Sequence, residues 1–374
     1  MAGIYIHIPF CKNKCSYCDF HFSTSYHTYQ EKMVDCIIDE LITRKETLIN
    51  ETIETIYFGG GTPSLLTENQ LQKIIKTIYT HFQVTPNPEI TLEANPDDIS
   101  KISVEAWVRQ KVNRLSIGLQ SFDEKVLTWM NRAHNVQQSL SCIPLTQQAG
   151  IQNSSIDLIY GLPDLTLEQW EKEIDTALQL GVQHISAYCL TIEEKTALAS
   201  WIKKKKINQP SNEQQAAQFQ LLQSKLKAAG FDHYEISNFA LPNYISKHNS
   251  NYWKGEKYFG VGPSAHSYDF NYRSWNIANN AKYMQGIESK SPNYDFELLT
   301  PENRFNELIL VGLRTKWGVN LTQLKGILST SIEFEQTLNT YLQKNWLTIQ
   351  DQNICLTEQG KAWADKIAED LFVI

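Results

Sequence analysis

The chain has 374 residues, enough to bury more than one core, and carries a net charge of −7. With 42% apolar and 20% charged residues it has an ordinary globular composition. The acidic balance argues against a general nucleic-acid binder, whose footprint is basic. No stretch reaches the apolar length of a membrane span. Met1-Ala2-Gly3-Ile4-Tyr5 shows no basic region followed by an apolar core, so no export signal is expected. Seven cysteines without a paired pattern fit a reducing cytoplasm.

From residue 4 to about residue 235, short apolar runs alternate with amphipathic segments. Strands are predicted at Tyr5–Ile8, Thr55–Phe58, Glu89–Glu93, Arg114–Gly118, Ser155–Ile159 and His184–Cys189. Helices are predicted at Tyr29–Ile49, Asn69–Phe82, Ser103–Gln110, Val136–Ala149, Leu167–Leu180 and Glu213–Ala229. Strand followed by helix, six times over, predicts an α/β fold with a parallel sheet, a partial (β/α)6 barrel rather than a closed eight-stranded one. The strands read as apolar on both faces, which predicts helices on one side and an apolar core on the other. A ligand of such a sheet sits at the carboxyl ends of the strands.

Two later regions break the pattern. Ser200–Asn212 contains Lys203–Lys206 and Pro210 and reads as a solvated surface loop. From Pro242 to about Thr300 the chain is rich in aromatic and turn residues without a clear period. Beyond it, helices at Glu302–Leu313, Leu321–Leu328, Ser331–Gln343 and Thr357–Asp370 and a hairpin at Leu347–Ile349 and Ile354–Leu356 suggest a small winged-helix-like unit. The expected organisation is therefore a barrel over 1–235, an aromatic-rich connecting segment over 236–300 and a C-terminal helical domain over 301–374.

Cys11, Cys15 and Cys18 follow the first strand with the spacing C-x-x-x-C-x-x-C. Three thiolates on one short loop can hold three irons of a [4Fe-4S] cube, which proteins commonly ligate with four cysteines. The fourth iron is then open to a small molecule. S-adenosylmethionine fits, because its amino and carboxylate groups can chelate that iron while the cluster supplies an electron. A structural zinc site would need a fourth ligand, for instance Asp19 or His21. A disulfide would leave one cysteine over. Cys36, Cys142, Cys189 and Cys355 are scattered through apolar runs and read as core residues.

Polar residues stand at later strand ends where core would be expected. Gly59-Gly60-Gly61-Thr62 closes the second strand, and its glycines allow close approach of backbone to a ligand. Glu93 ends the third strand, Gln120 follows the fourth, Asp157 lies in the fifth, and Arg132 sits in the loop Asn131-Arg132-Ala133-His134. These groups need partners. A cofactor with a ribose, an adenine and an amino-acid end offers them; the alternative is that the four bond one another across the barrel mouth.

Together these residues resemble the radical S-adenosylmethionine proteins, in the branch of the oxygen-independent coproporphyrinogen III dehydrogenases and the related heme chaperones. The resemblance rests on Tyr5-Ile6-His7-Ile8-Pro9-Phe10-Cys11, the Gly-Gly-Gly-Thr-Pro turn, Leu119-Gln120-Ser121-Phe122 and Asp157-Leu158-Ile159-Tyr160-Gly161-Leu162-Pro163, and it spans nearly the whole chain. It implies that Tyr5, Gly60, Gly61, Thr62, Glu93, Gln120, Arg132 and Asp157 contact S-adenosylmethionine, with Tyr17 near its adenine. The dehydrogenase pattern continues to a fourth cysteine where this chain has Phe20, and it carries an N-terminal extension, whereas the first strand here begins at about residue 4. The chaperone branch carries H-N-x-x-Y-W, present here as His248-Asn249-Ser250-Asn251-Tyr252-Trp253. Neutral histidine is a common axial ligand of heme iron, so the resemblance implies that His248 binds heme, with Tyr252 and Trp253 covering the macrocycle. It further implies transfer of heme to an acceptor, a respiratory or other heme protein. Gly260–His266 is expected to help shape the same pocket.

Overall fold

The structure is a computed structural model and describes residues 1–373. Six strands pair in parallel and in chain order: β1 (Ala2–Ile8), β2 (Thr52–Gly60), β3 (Gln83–Ala94), β4 (Arg114–Gln120), β5 (Asn153–Tyr160) and β6 (His184–Cys189). The helices connecting or following them are α1 (Gln30–Thr43), α2 (Glu68–His81), α3 (Lys101–Arg109), α4 (Glu124–Trp129), α5 (Val136–Gln148), α6 (Leu167–Gln179), α7 (Ala197–Lys203) and α8 (Asn212–Ala228). Capping boxes at Thr67, Ser100, Asn135 and Thr166 set the starts of α2, α3, α5 and α6 by satisfying their first free N–H groups.

The two faces of the strands differ, contrary to the apolar-on-both-faces reading. Ile4, Ile6 and Ile8 of β1, Ile56 and Phe58 of β2, Leu92 of β3 and Leu115, Ile117 and Leu119 of β4 are fully buried in one core with Met33, Ile37, Ile74 and Ile78 of the helices. The alternate positions are polar and stand in register across the sheet. Tyr57, Thr91, Arg114 and Asn153 form one row, and Glu93, Ser116, Ser155 and His184 form the next. In the second row hydrogen bonds link the side chains: Ser155 Oγ pairs with His184 Nδ1 at 2.6 Å, and His184 Nε2 with the Tyr234 hydroxyl at 2.7 Å. The first row is not satisfied in this way: Thr91 Oγ1, all three nitrogens of the Arg114 guanidinium and Asn153 Oδ1 are buried without a hydrogen-bond partner among the described residues.

The sheet does not end at residue 235. β7 (Asp232–Glu235) and β8 (Asn238–Ala240) continue it beyond β6. On the other side β9 (Lys257–Val261) pairs in parallel with β1, and β10 (His266–Asp269), β11 (Tyr272–Asn276) and β12 (Tyr294–Leu298) follow antiparallel, giving a 12-stranded sheet. These strands are short, which is why the stretch shows no period. Between β8 and β9, α9 (Lys247–Trp253) packs on β1, β2 and β9. α10 (Asn280–Glu288) packs on α1. The expected loop at Ser200–Asn212 begins inside α7, whose N-cap Thr196 accepts a hydrogen bond from Ala199 N.

A second core, with Phe305, Ile309, Leu313, Leu324, Phe334 and Leu338, belongs to the C-terminal region. It is built from α11 (Pro301–Leu313), β13 (Val319–Asn320), α12 (Leu321–Ile327), α13 (Ile332–Gln343), the hairpin β14 (Leu347–Gln350) and β15 (Asn353–Leu356), and α14 (Ala364–Asp370). Backbone bonds from Ile236 N to Arg314 O and from Lys316 N to Tyr234 O, each 3.0 Å, fasten it to β7. Among the described residues no helix is long and apolar enough to cross a membrane.

Candidate cofactor cavity at the carboxyl ends of the strands

The cysteine loop leaves the end of β1 and is fastened on several sides. Cys11 N donates to Ser23 O at 3.1 Å, Ser16 N to Met130 O at 3.0 Å and Leu198 N to Ser16 O at 3.0 Å. Lys12 pairs with Asp97 at 2.6 Å and with Asp98. All three thiols are free and partly exposed. Thr62 Oγ1 reaches Cys11 Sγ at 3.5 Å, and the Arg132 guanidinium reaches Cys15 Sγ at 3.4 Å. Burial pushes the Cys11 thiol up to about 12 and raises that of Cys18, so a metal cluster binding there as thiolates would release protons. Among the described residues no three His, Cys, Asp or Glu side chains converge closely enough to hold a single metal ion. Thiolates around one zinc stand about 4 Å apart, whereas a cube spreads them over separate irons. The donor set therefore fits a cluster better than an isolated ion.

Behind the loop lies a cavity of about 600 Å³, within the range of small-molecule sites. Tyr5, Cys11, Cys15, Tyr17, Cys18, Gly60, Gly61, Thr62, Glu93, Gln120, Arg132 and Asp157 all line it. They come from five strands and three loops, which the parallel barrel brings to one end. Gly60 has φ +104°, and a Cβ there would lie 2.7 Å from the His7 ring; a Cβ on Gly61 would lie 2.5 Å from Phe10 O. The glycines are needed because the turn presses against the cysteine loop. A register shift between Gly118 and Gln120 leaves Gln120 with φ +69°. Such a bulge turns a side chain toward the mouth and is a feature of functional rims.

The four strand-end groups do not bond one another. Glu93 accepts from the Tyr57 hydroxyl at 2.8 Å. Arg132 donates to Asn95 Oδ1 at 2.6 Å and to Gly118 O at 2.7 Å. Asp157 is held by Ser186 and Ser116. Burial lifts the Glu93 carboxyl to about 7 and that of Asp157 to about 6, although the Tyr57 and serine hydrogen bonds oppose the shift. Two carboxyl groups held near their titration point in one cavity suit a ligand that brings positive charge and N–H or O–H donors.

His248 is placed differently. It lies behind the cavity wall, 1% exposed, with Nδ1 2.7 Å from Thr55 Oγ1 and Nε2 2.8 Å from the Tyr252 hydroxyl. Its ring stacks on Tyr57 at 4.9 Å. A Cβ on Gly3 would meet Thr55 Oγ1 at 2.7 Å and the His248 ring at 3.1 Å, so this glycine makes room for the pair. Glu89 accepts from the backbone N–H groups of both Lys247 and His248 and pins the start of α9. Burial lowers the imidazole to about 3 and keeps it neutral. In this arrangement neither ring nitrogen is free. Its neighbours Asn249 and Tyr252 do line the cavity, and Trp253 lies under the Arg314 guanidinium at 5.4 Å. Gly260–His266 flanks β1 but lies outside the cavity lining.

Sequence reasoning missed several wall residues. Cys189, read as core, is exposed at the end of β6 and lines the cavity, as does Tyr188; Cys36 and Cys142 are buried as expected, and Cys355 is half-buried. Asn95 orients Arg132. Its position, two residues beyond Glu93 and hence on the same face, was the available signal. Phe20, where the dehydrogenase pattern has a fourth cysteine, stands 69% exposed on the rim.

Comparison with known proteins agrees with this geometry. The family model described as the Radical SAM superfamily matches residues 5–177, and that of the HemN C-terminal domain matches residues 299–363. The chain is 33% identical over 98% of both chains to the heme chaperone HemW of Bacillus subtilis. It is 31% identical over 98% of this chain and 96% of the relative to that of Lactococcus lactis. The coproporphyrinogen III oxidase HemN of Escherichia coli has the same fold, with a TM-score of 0.85 at 20% identity over 100% of this chain and 90% of that one. By full-length similarity to HemW, and by a cysteine loop, glycine turn and strand-end residues gathered around one cavity, the chain belongs to the HemW family of radical S-adenosylmethionine proteins.

Proposed function

We propose that this protein is a cytoplasmic heme chaperone that carries a [4Fe-4S] cluster and S-adenosylmethionine and passes heme to an acceptor protein. The observation that carries the reading is the end-to-end similarity to proteins named heme chaperones. Cys11, Cys15 and Cys18 would hold the cluster, which when bound supplies an open iron and a single electron. Tyr5, Gly60, Gly61, Thr62, Gln120 and Arg132 would bind S-adenosylmethionine, with Tyr17 beside its adenine and Glu93 and Asp157 taking up its hydroxyl and ammonium donors. Arg132, bonded to Asn95 and Cys15, ties the cofactor wall to the cluster loop.

Heme binding is assigned to α9. A neutral imidazole is the form that ligates heme iron, and burial keeps His248 in that form. Ligation requires the Tyr252 hydroxyl to leave Nε2, so heme capture is coupled to movement of Tyr252. The test is an anaerobic heme titration of reconstituted protein, followed by transfer to an apo-heme protein. Heme bound tightly by the wild type, weakly by His248→Ala, and released to the acceptor supports the reading. Steady conversion of coproporphyrinogen to protoporphyrinogen would replace it with the dehydrogenase reading.

A further inference from the structure

The H-N-x-x-Y-W stretch does not face one site. His248 is enclosed behind the cavity wall, and Asn249 and Tyr252 line the cofactor cavity. Trp253 stands on another face of the same helix. It opens onto a second cavity, of about 410 Å³, where the end of α9 meets the C-terminal unit. Lys254 follows it on the same wall. Lys316 and Trp317 enter from the turn after α11, Asn320 and Asn353 from β13 and β15, and Asp351 from the β14–β15 turn.

The walls are fixed in place. Gly318 has φ +69°, and a Cβ there would lie 2.5 Å from Cys355 Sγ, so the turn carrying Lys316 and Trp317 is pressed onto β15. Gly318 N donates to Thr315 O at 3.2 Å and Thr315 N to Gly312 O at 3.0 Å. The Trp317 ring meets Tyr234 at 6.1 Å, and Asn320 Nδ2 donates to Asn353 Oδ1 at 3.0 Å. Lys254 Nζ stands over the Trp317 ring at 4.5 Å. Two half-buried indoles offer apolar faces to a flat ring, and an ammonium beside them can hold an acid group at that ring's edge. Lys316 is answered by Asp232, which leaves Lys254 as the main carboxylate contact. Asp351 repels a carboxylate and confines the acid groups to the lysine side.

We propose that this seam cavity takes the edge of a planar tetrapyrrole dicarboxylate, with the macrocycle against Trp253 and Trp317 and its carboxylates at Lys254 and Lys316. The inference rests on the heme reading above and adds to it a site separate from His248, which does not line this cavity. The ring is therefore held here without ligation of its iron, and the part outside the cavity stays within reach of an acceptor.

The experiment uses the full chain and metal-free protoporphyrin IX, which carries the ring and both carboxylates but no iron, followed by porphyrin fluorescence. The wild type binds it. K254E weakens binding about ten-fold and K254Q less, while iron content after reconstitution and the melting temperature stay unchanged, because Lys254 is exposed. Trp317→Ala weakens it by a similar factor and Trp317→Phe restores most of the loss. D351N tightens binding about two-fold, and the dimethyl ester of the probe binds about ten-fold more weakly than the diacid. Equal affinity of K254E, Trp317→Ala and the wild type overturns the proposal. So does a wild type that binds heme but not protoporphyrin, which leaves the heme reading standing. A wild type that binds neither ends both.

Discussion

Glu93 and Asp157 face a cavity with few partners, and burial holds both near their titration point. His248, lying against the same strands but nearer their amino ends, has both ring nitrogens and its backbone N–H engaged and a tyrosine ring against its face. One region is prepared for a ligand to complete it; the other is complete without one. The difference teaches that the two ligand functions assigned here need different kinds of event. Filling the cavity satisfies groups already in place, whereas heme ligation through His248 must first break a satisfied bond.

The largest effect that would break this comparison is at the cluster loop. Alanine at any one of Cys11, Cys15 or Cys18 should take iron and sulfide from about four per chain to near zero after anaerobic reconstitution. Retention of both would remove the basis of the cavity assignment. The next concerns Glu93. Its carboxyl is raised from 4.5 to about 7, so the folded state binds a proton more tightly than the unfolded chain. The stability this gives is present below pH 4.5 and is lost as pH rises to about 7. Glu93→Gln should therefore match the wild type at low pH and exceed it above pH 7 by up to roughly 3 kcal/mol, measured by denaturant unfolding of the protein without cofactors. His248→Ala leaves Thr55 and Tyr252 without partners and should cost about 2 kcal/mol in the same experiment. It should also weaken heme binding while iron content is unchanged. The smallest effect is the most specific: Tyr252→Phe frees Nε2 at a cost of about 1 kcal/mol in stability and should tighten heme binding by roughly five-fold. Weaker heme binding in that variant would place the ligand elsewhere.

The parallel strands and the site were legible for different reasons. Six βα repeats and a cysteine loop after the first strand place a cavity at the carboxyl ends, and the residues singled out on strand ends do meet there. Those residues were visible because a charge such as Glu93 or Asp157 interrupts an apolar run. Residues without such contrast escaped notice: Asn95 is an uncharged polar residue just past the end of β3, and Cys189 looks like any core cysteine until the end of β6 is known to open into the cavity. The short strands from residue 257 to 298 were invisible because each is too brief to show a period of two, and the first of them, β9, pairs with the distant β1. The enclosure of His248 depends on Gly3, Thr55 and Glu89, contributed by three other strands, and no local pattern reveals it.

The alternation along β1 to β5 carries one more consequence. Isoleucine, leucine and phenylalanine on the helix-facing side carry the burden of folding, while alternate positions supply the chemistry. Design can exploit this division of labour. A library that randomises only residues such as 93, 116 and 157 would sample new ligands on an unchanged chassis, whereas shifting any strand by one residue would exchange the two roles and destroy both.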